Sequence, residues 1–294
     1  MNALFHGTCT ATITPFNKTG IDFKTFEKQI ERQLSHKIKT IAVCTTTGEA
    51  PTLTDDEYKK IVEFAVKVIN KRATLIVGSG SNNTERAVEK SKFSEKAGAD
   101  GVLAVTPYYN KCTQNGLIKY YEQIANAVSL PVIAYNVPAR TGVNLLPETM
   151  QKIAKIPNVA GIKEASGSIK QLKKTVELTK GNAQVYCGDD ALYLKALSAG
   201  AVGCFSATSN LFPKDFDEIY LNYVSGRTDR ATRTQRKLKN VISALYSEPN
   251  PIPLKYAMKL LKLDKGILRA PLTELEKYNK AKLIKVIVDY GAEI

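Results

Sequence analysis

Only two histidines occur in the 294 residues, His6 and His36, and neither lies near a cysteine pair or within a HExxH pattern. A histidine-based zinc site or a Ser-His-Asp triad therefore has little raw material. The five cysteines, at 9, 44, 112, 187 and 204, show no CxxC spacing, and four of them sit in apolar, β-branched runs. They read as reduced core thiols, not as a disulfide framework. Long apolar stretches are missing as well, since no window approaches the ~18 consecutive apolar residues that a membrane span needs. The start, Met1-Asn2-Ala3-Leu4-Phe5-His6, lacks a basic segment followed by an apolar one. These absences lead to the expectation of a cytoplasmic protein with no membrane partner. Its chemistry, if any, must draw on Lys, Tyr, Thr, Arg or carboxylates.

What is present is enough for a well-buried core, with 44% hydrophobic and 24% charged residues. Lys and Arg total 42 against 28 acidic residues, a formal +14 that first suggests nucleic acid. The distribution argues against that partner. Basic residues are scattered at helix-surface spacing, as in Lys59-Lys60 and Lys173-Lys174, and the densest cluster, Arg227 to Lys239, falls in one amphipathic helix.

Short β-rich runs occur at Thr8 to Ile13, Ile41 to Cys44, Leu75 to Val77, Val102 to Val105, Val132 to Ala134, Val159 to Ile162, Val185 to Cys187 and Val202 to Phe205. Between them, apolar residues recur three and four apart, as in Phe23, Phe26, Ile30 and Leu34. Thr54-Asp55-Asp56-Glu57 has the form of a capping box, and Ala97-Gly98 that of a helix stop. Strand starts recur roughly every 18 to 34 residues, and each run is apolar on both faces. Eight such units predict an α/β fold, a (β/α)8 TIM barrel. A doubly wound sheet would normally show a Gly-rich phosphate loop after its first strand, which Thr12-Ile13-Thr14-Pro15-Phe16 is not. Four further helical patterns, from Lys214, Arg230, Pro253 and Leu272, extend the chain. The expected division is a barrel over 1–225 carrying the active site and a C-terminal helical extension over 226–294.

In such a barrel the chemistry gathers at the C-terminal strand ends. These hold Thr45-Thr46-Thr47-Gly48-Glu49, Thr106-Pro107-Tyr108-Tyr109-Asn110, Tyr135-Asn136-Val137-Pro138-Ala139-Arg140, Lys163-Glu164 and Gly188-Asp189-Asp190. Lys163 continues the apolar run Val159-Ala160-Gly161-Ile162, so it should point into the barrel mouth, where desolvation favours a neutral, nucleophilic amine. The plainer alternative is a surface lysine paired with Glu164, with Tyr109 and Tyr135 as rim aromatics and Arg140 as a solvated charge.

These residues also carry a family resemblance. Thr46-Thr47-Gly48-Glu49, Pro107-Tyr108-Tyr109-Asn110, Tyr135-Asn136-Val137-Pro138 with Arg140-Thr141-Gly142, Gly161-Ile162-Lys163-Glu164-Ala165-Ser166-Gly167, and Glu248-Pro249-Asn250-Pro251-Ile252-Pro253 stand in order. Together they resemble the dihydrodipicolinate synthase branch of the pyruvate-dependent class I aldolases, end to end. The resemblance implies that Lys163 forms an imine with pyruvate and that no cofactor is needed. It implies that Thr46 and Thr47 hold the pyruvate carboxylate, and that Tyr135 is the general acid/base, linked through Thr47 to Tyr109 of a neighbouring subunit. Arg140 would clamp the carboxylate of L-aspartate 4-semialdehyde. Gly188 would let substrate approach the backbone, and Phe205 would complete the substrate-binding set. The product would be 4-hydroxy-tetrahydrodipicolinate, of the diaminopimelate and lysine route, and the assembly a homotetramer built from dimers. One departure is Thr45, where the family turn usually begins with glycine. The rival readings are a sister aldolase, such as N-acetylneuraminate lyase or a 2-keto-3-deoxy sugar acid aldolase, and a barrel without catalysis that serves regulation.

Overall fold

Strands that alternate with helices and are apolar on both faces can bury both faces only if helices cover the outside and side chains fill the inside. The computed structural model describes residues 3–293 and shows that solution. Residues 1, 2 and 294, where the two expected domain ranges begin and end, lie outside the described residues. The eight runs become eight strands: β1 Gly7–Ala11, β2 Thr40–Val43, β3 Thr74–Gly78, β4 Gly101–Val105, β5 Val132–Asn136, β6 Val159–Glu164, β7 Gln184–Cys187 and β8 Gly203–Ser206. They close into a barrel in the order β1-β8-β7-β6-β5-β4-β3-β2. Helices separate them, and further helices follow β8. The fold is a (β/α)8 TIM barrel with C-terminal helices.

By packing, the chain divides into two compact units. One holds Thr74–Phe205 with the segment ending at Gly7, and the other holds Thr8–Ala73 with the chain from Ser206 onward. In the first unit, β4, β5, β6 and β7 pair in parallel. The pairing of β5 with β6 is irregular: Val132 faces Val159, but Ile133 faces Gly161, so Ala160 is an extra residue on β6. Because side chains alternate faces, a one-residue bulge resets everything after it. The reset register pairs Tyr135 with Lys163 and Lys163 with Tyr186.

In the second unit, β1 and β2 pair with Cys9 opposite Thr40 and Ala11 opposite Ala42. The capping box forms as read: Thr54 Oγ1 accepts from Glu57 N at 3.2 Å, and Glu57 Oε2 accepts from Thr54 N at 3.0 Å, opening the helix Asp55–Ile69. Two features differ from the sequence reading. An antiparallel ribbon, Phe16–Asn17 with Gly20–Ile21, follows β1, its turn tightened by Thr19 N donating to Asn17 Oδ1 at 2.8 Å. The last helix starts at Lys277, not near Leu272. Its start is set by a distant carboxylate, since Glu248 Oε1 accepts from Glu276 N at 3.0 Å and from Asn279 Nδ2 at 2.7 Å. The helices Thr228–Leu245, Ile252–Leu260 and Lys277–Asp289 share one apolar core with Ile13 and Leu211, filled by Leu245, Met258, Leu283 and Ile287.

Candidate active site

Lys163 lies on the last turn of pleat of β6 and is only 5% exposed, so the surface-lysine alternative does not hold. Glu164 faces the other way. Its carboxylate accepts from Ser166 N at 2.7 Å, from Gln171 Nε2 at 3.1 Å and from Asn136 Nδ2 at 3.1 Å, and it is buried there. The Lys163 amine instead sits 4.0 Å from the ring centroid of Tyr135 and 5.1 Å from that of Phe205. Phe205 is fixed from behind by edge contacts to Phe5 and Tyr186, with centroids 5.2 and 5.8 Å away. Rings on two sides of the amine limit its contact with water and fix where its nitrogen sits.

Gly188 shapes the same spot. A Cβ there would come within 2.7 Å of the Ala165 Cβ and within 3.0 and 3.1 Å of the Lys163 Cε and Cγ. The missing side chain at 188 is the room occupied by the lysine stem.

Arg140 is carried on the one-turn helix Pro138–Thr141 directly after β5, and its side chain is exposed. That turn is braced underneath by Asn136, whose Oδ1 accepts from Leu145 N at 2.9 Å, and by Thr141 Oγ1, which donates to Val143 O at 3.0 Å. Tyr109 stands apart from the Lys163 cluster. It is 92% exposed, has a φ of 72°, and lies at the centre of a three-residue turn closed by Asn110 N donating to Tyr108 O at 2.9 Å. A γ-turn with positive φ at a non-glycine centre is rare and strained. Among the described residues nothing covers this ring.

The second unit holds the threonine turn. Cys44 and Glu49 bracket it with φ values of 52° and 53°. Thr47 is buried, and its Oγ1 accepts from Asn250 Nδ2 at 2.9 Å. Thr46 is half-buried, and no other side chain occupies its hydroxyl among the described residues. The Thr45 Oγ1 is buried without a hydrogen-bond partner. Glu49 forms an ion pair with Lys255 at 2.5 Å, both side chains having no exposure. Burial pushes the Lys255 ammonium below its ordinary pKa, and the Glu49 charge opposes that shift.

A lysine ending a barrel strand between aromatic walls is what imine chemistry on a TIM barrel needs. Comparison with known proteins agrees. The chain matches the Dihydrodipicolinate synthetase family over residues 4–289. It belongs to that family. It is 43% identical over 293 residues to a 4-hydroxy-tetrahydrodipicolinate synthase of Caldicellulosiruptor bescii, covering 99% of each chain. It superimposes with a TM-score of 0.97 on dihydrodipicolinate synthase from Aquifex aeolicus, at 36% identity and 99% coverage of both chains. A structure described as the first monomeric dihydrodipicolinate synthase variant matches with a TM-score of 0.96, at 39% identity and 98% coverage of both.

The sequence reading puts Lys163, Tyr135, Thr46, Thr47, Tyr109, Arg140, Gly188 and Phe205 in one site; the structure brings Tyr135, Phe205 and Gly188 against Lys163, and the sequence reading gives Lys255 no role. The signal was there: Lys255 interrupts the apolar helical run Pro253-Leu254-Lys255-Tyr256-Ala257-Met258, as Lys163 interrupts a strand. Asn250 was part of a quoted motif, but only the folded chain shows that it reaches Thr47, which lies 203 positions away.

Proposed function

We propose that this protein is a 4-hydroxy-tetrahydrodipicolinate synthase, condensing pyruvate with L-aspartate 4-semialdehyde by way of an imine on Lys163. The observation that carries the reading is the Lys163 amine, buried on β6 and walled by Tyr135 and Phe205, in a chain of this family. The neutral amine adds to the ketone carbon of pyruvate, and the carbinolamine loses water to an iminium. Loss of a C3 proton gives an enamine, whose C3 attacks the aldehyde carbon of the semialdehyde, the aldehyde oxygen taking up a proton. The amino group of the adduct then displaces Lys163 from the imine carbon, closing the ring of 4-hydroxy-tetrahydrodipicolinate and freeing the lysine. Tyr135, nearest the amine, is the proposed acid and base for these transfers.

The remaining roles follow the resemblance. Thr46 and Thr47 receive the pyruvate carboxylate, and Thr47 also links Tyr135 to Tyr109 in the hydroxyl relay, so Thr47→Val should slow proton transfer more than Thr46→Val. Tyr109 works in a neighbouring subunit, Arg140 receives the carboxylate of the semialdehyde, and no cofactor takes part. Activity that survives exhaustive dialysis against a chelator checks the last point. A homotetramer built from dimers, working in the cytoplasm, is the proposed setting. No helix among the described residues is long and apolar enough to cross a membrane.

The test is borohydride reduction in the presence of pyruvate, read by mass, with a coupled assay on the semialdehyde. Wild type should gain one reduced pyruvate adduct on the peptide holding Lys163, and Lys163→Ala should gain none and lose turnover by several orders of magnitude. An adduct on another lysine, or turnover only with sugar-derived aldehydes, overturns the reading.

A further inference from the structure

Beside Lys163 the chain buries a second lysine in full, and no step of the chemistry above uses it. Lys255 donates to Thr14 O at 2.7 Å and to Ile267 O at 2.8 Å, and its ammonium pairs with Glu49 Oε1 at 2.5 Å. The other Glu49 oxygen accepts from Arg269 N at 3.0 Å. Glu49 closes the threonine turn, and it does so in a left-handed conformation that a non-glycine residue keeps only when its surroundings hold it. Five residues before Lys255, Asn250 donates to Thr47 Oγ1. C-terminal residues thus grip both the middle and the end of the turn.

We propose that Lys255 and Asn250 are positioning residues for pyruvate, acting through Glu49 and Thr47 on the turn that receives its carboxylate. The proposal rests on the function proposed above. Two physical arguments support it. An Asn250 N–H directed at the Thr47 oxygen occupies an acceptor lone pair, which leaves the Thr47 hydroxyl hydrogen to point elsewhere as a donor to an anion. The Lys255 ammonium neutralises a carboxylate two residues from Thr47, which alone would repel an incoming anion across a poorly screened interior. Both effects act on the carboxylate of the 2-oxo acid and leave the aldehyde untouched.

The experiment measures the pyruvate concentration that gives half-maximal borohydride trapping, together with both Michaelis constants. The variants are Asn250→Ala, Thr47→Val, their combination, and Glu49→Gln/Lys255→Met, which removes both buried charges at once so that the fold is kept. Asn250→Ala should raise the half-trapping concentration about tenfold, with maximal trapping retained and the Michaelis constant for the semialdehyde changed less than twofold. In the Thr47→Val background, Asn250→Ala should add nothing. Glu49→Gln/Lys255→Met should show the same selective rise while melting within a few degrees of wild type. Folded variants whose half-trapping concentration equals that of wild type overturn the proposal and leave Lys163 as assigned. A wild-type protein that cannot be trapped at all overturns both.

Discussion

A single missing methyl group decides where the reactive nitrogen sits. Gly188 has no side chain because the Lys163 stem passes 3.0 to 3.1 Å from where its Cβ would be. In Gly188→Ala the new Cβ would press on the Ala165 Cβ and on the Lys163 stem, so the stem is pushed from its place. A shift of about 1 Å in a reacting group costs on the order of 10² in rate. Gly188→Ala should therefore form the pyruvate imine roughly 10²-fold more slowly in rapid-quench trapping while melting near the wild-type temperature; unchanged trapping would show that the stem is not confined. Lys163 was legible in sequence because an amine that ends an apolar strand is conspicuous. The room provided by Gly188 was not, because a glycine announces its freedom but not its neighbour.

At the scale of elements, pattern and fold agree where the information is local. All eight strand runs, the capping box at Thr54 and the stop at Gly98, whose φ is 100°, depend on residues within one or two turns of each other. The features missed are those that distant residues impose. The final helix waits for Glu248, and the bulge at Ala160 exists because β5 and β6 must meet in the register that pairs Tyr135 with Lys163. Helix Asp55–Ile69 shows both kinds of information at once: Glu57 is read locally as a cap, yet it also takes a two-pronged contact from Arg269. That guanidinium, helped by the Thr54 amide, holds the Glu57 carboxyl at about 2. The folded value lies below the ordinary carboxylate range, so the stabilisation is complete above pH ~4.5 and fades as pH falls from there toward 2. With side chains 24% and 21% exposed, solvent limits its size to about 1 kcal/mol. Glu57→Gln keeps the cap and removes the charge, so it should lower the melting temperature at pH 7 by ~2 °C and make little difference near pH 2.5. An equal loss at both pH values would mean that hydrogen bonding, not charge, does the holding.

For the molecule as a whole, the exposed strained ring of Tyr109 is the feature that one chain leaves unexplained. A positive-φ non-glycine centre costs about 1–3 kcal/mol. In the proposed assembly the ring is lent to a neighbour's site, which would cover it. Mixing inactive Tyr109→Phe with inactive Lys163→Ala subunits should then restore activity. In random equal mixtures of a two-fold pair, half of the pairs are mixed and each regains one of its two sites, so about one quarter of wild-type turnover is expected. No recovery in mixed pairs verified by mass would show that each chain works alone.

The grip of Lys255 and Arg269 on Glu49 also sets an order in time. A separation of 220 positions lies between Glu49 and Arg269. At ~5–20 residues per second, a ribosome delivers the second about 10–45 s after the first. Throughout that interval the nascent threonine turn carries a carboxylate whose cation has not yet been made, and the grip cannot form. A segment synthesised late completes a turn synthesised early.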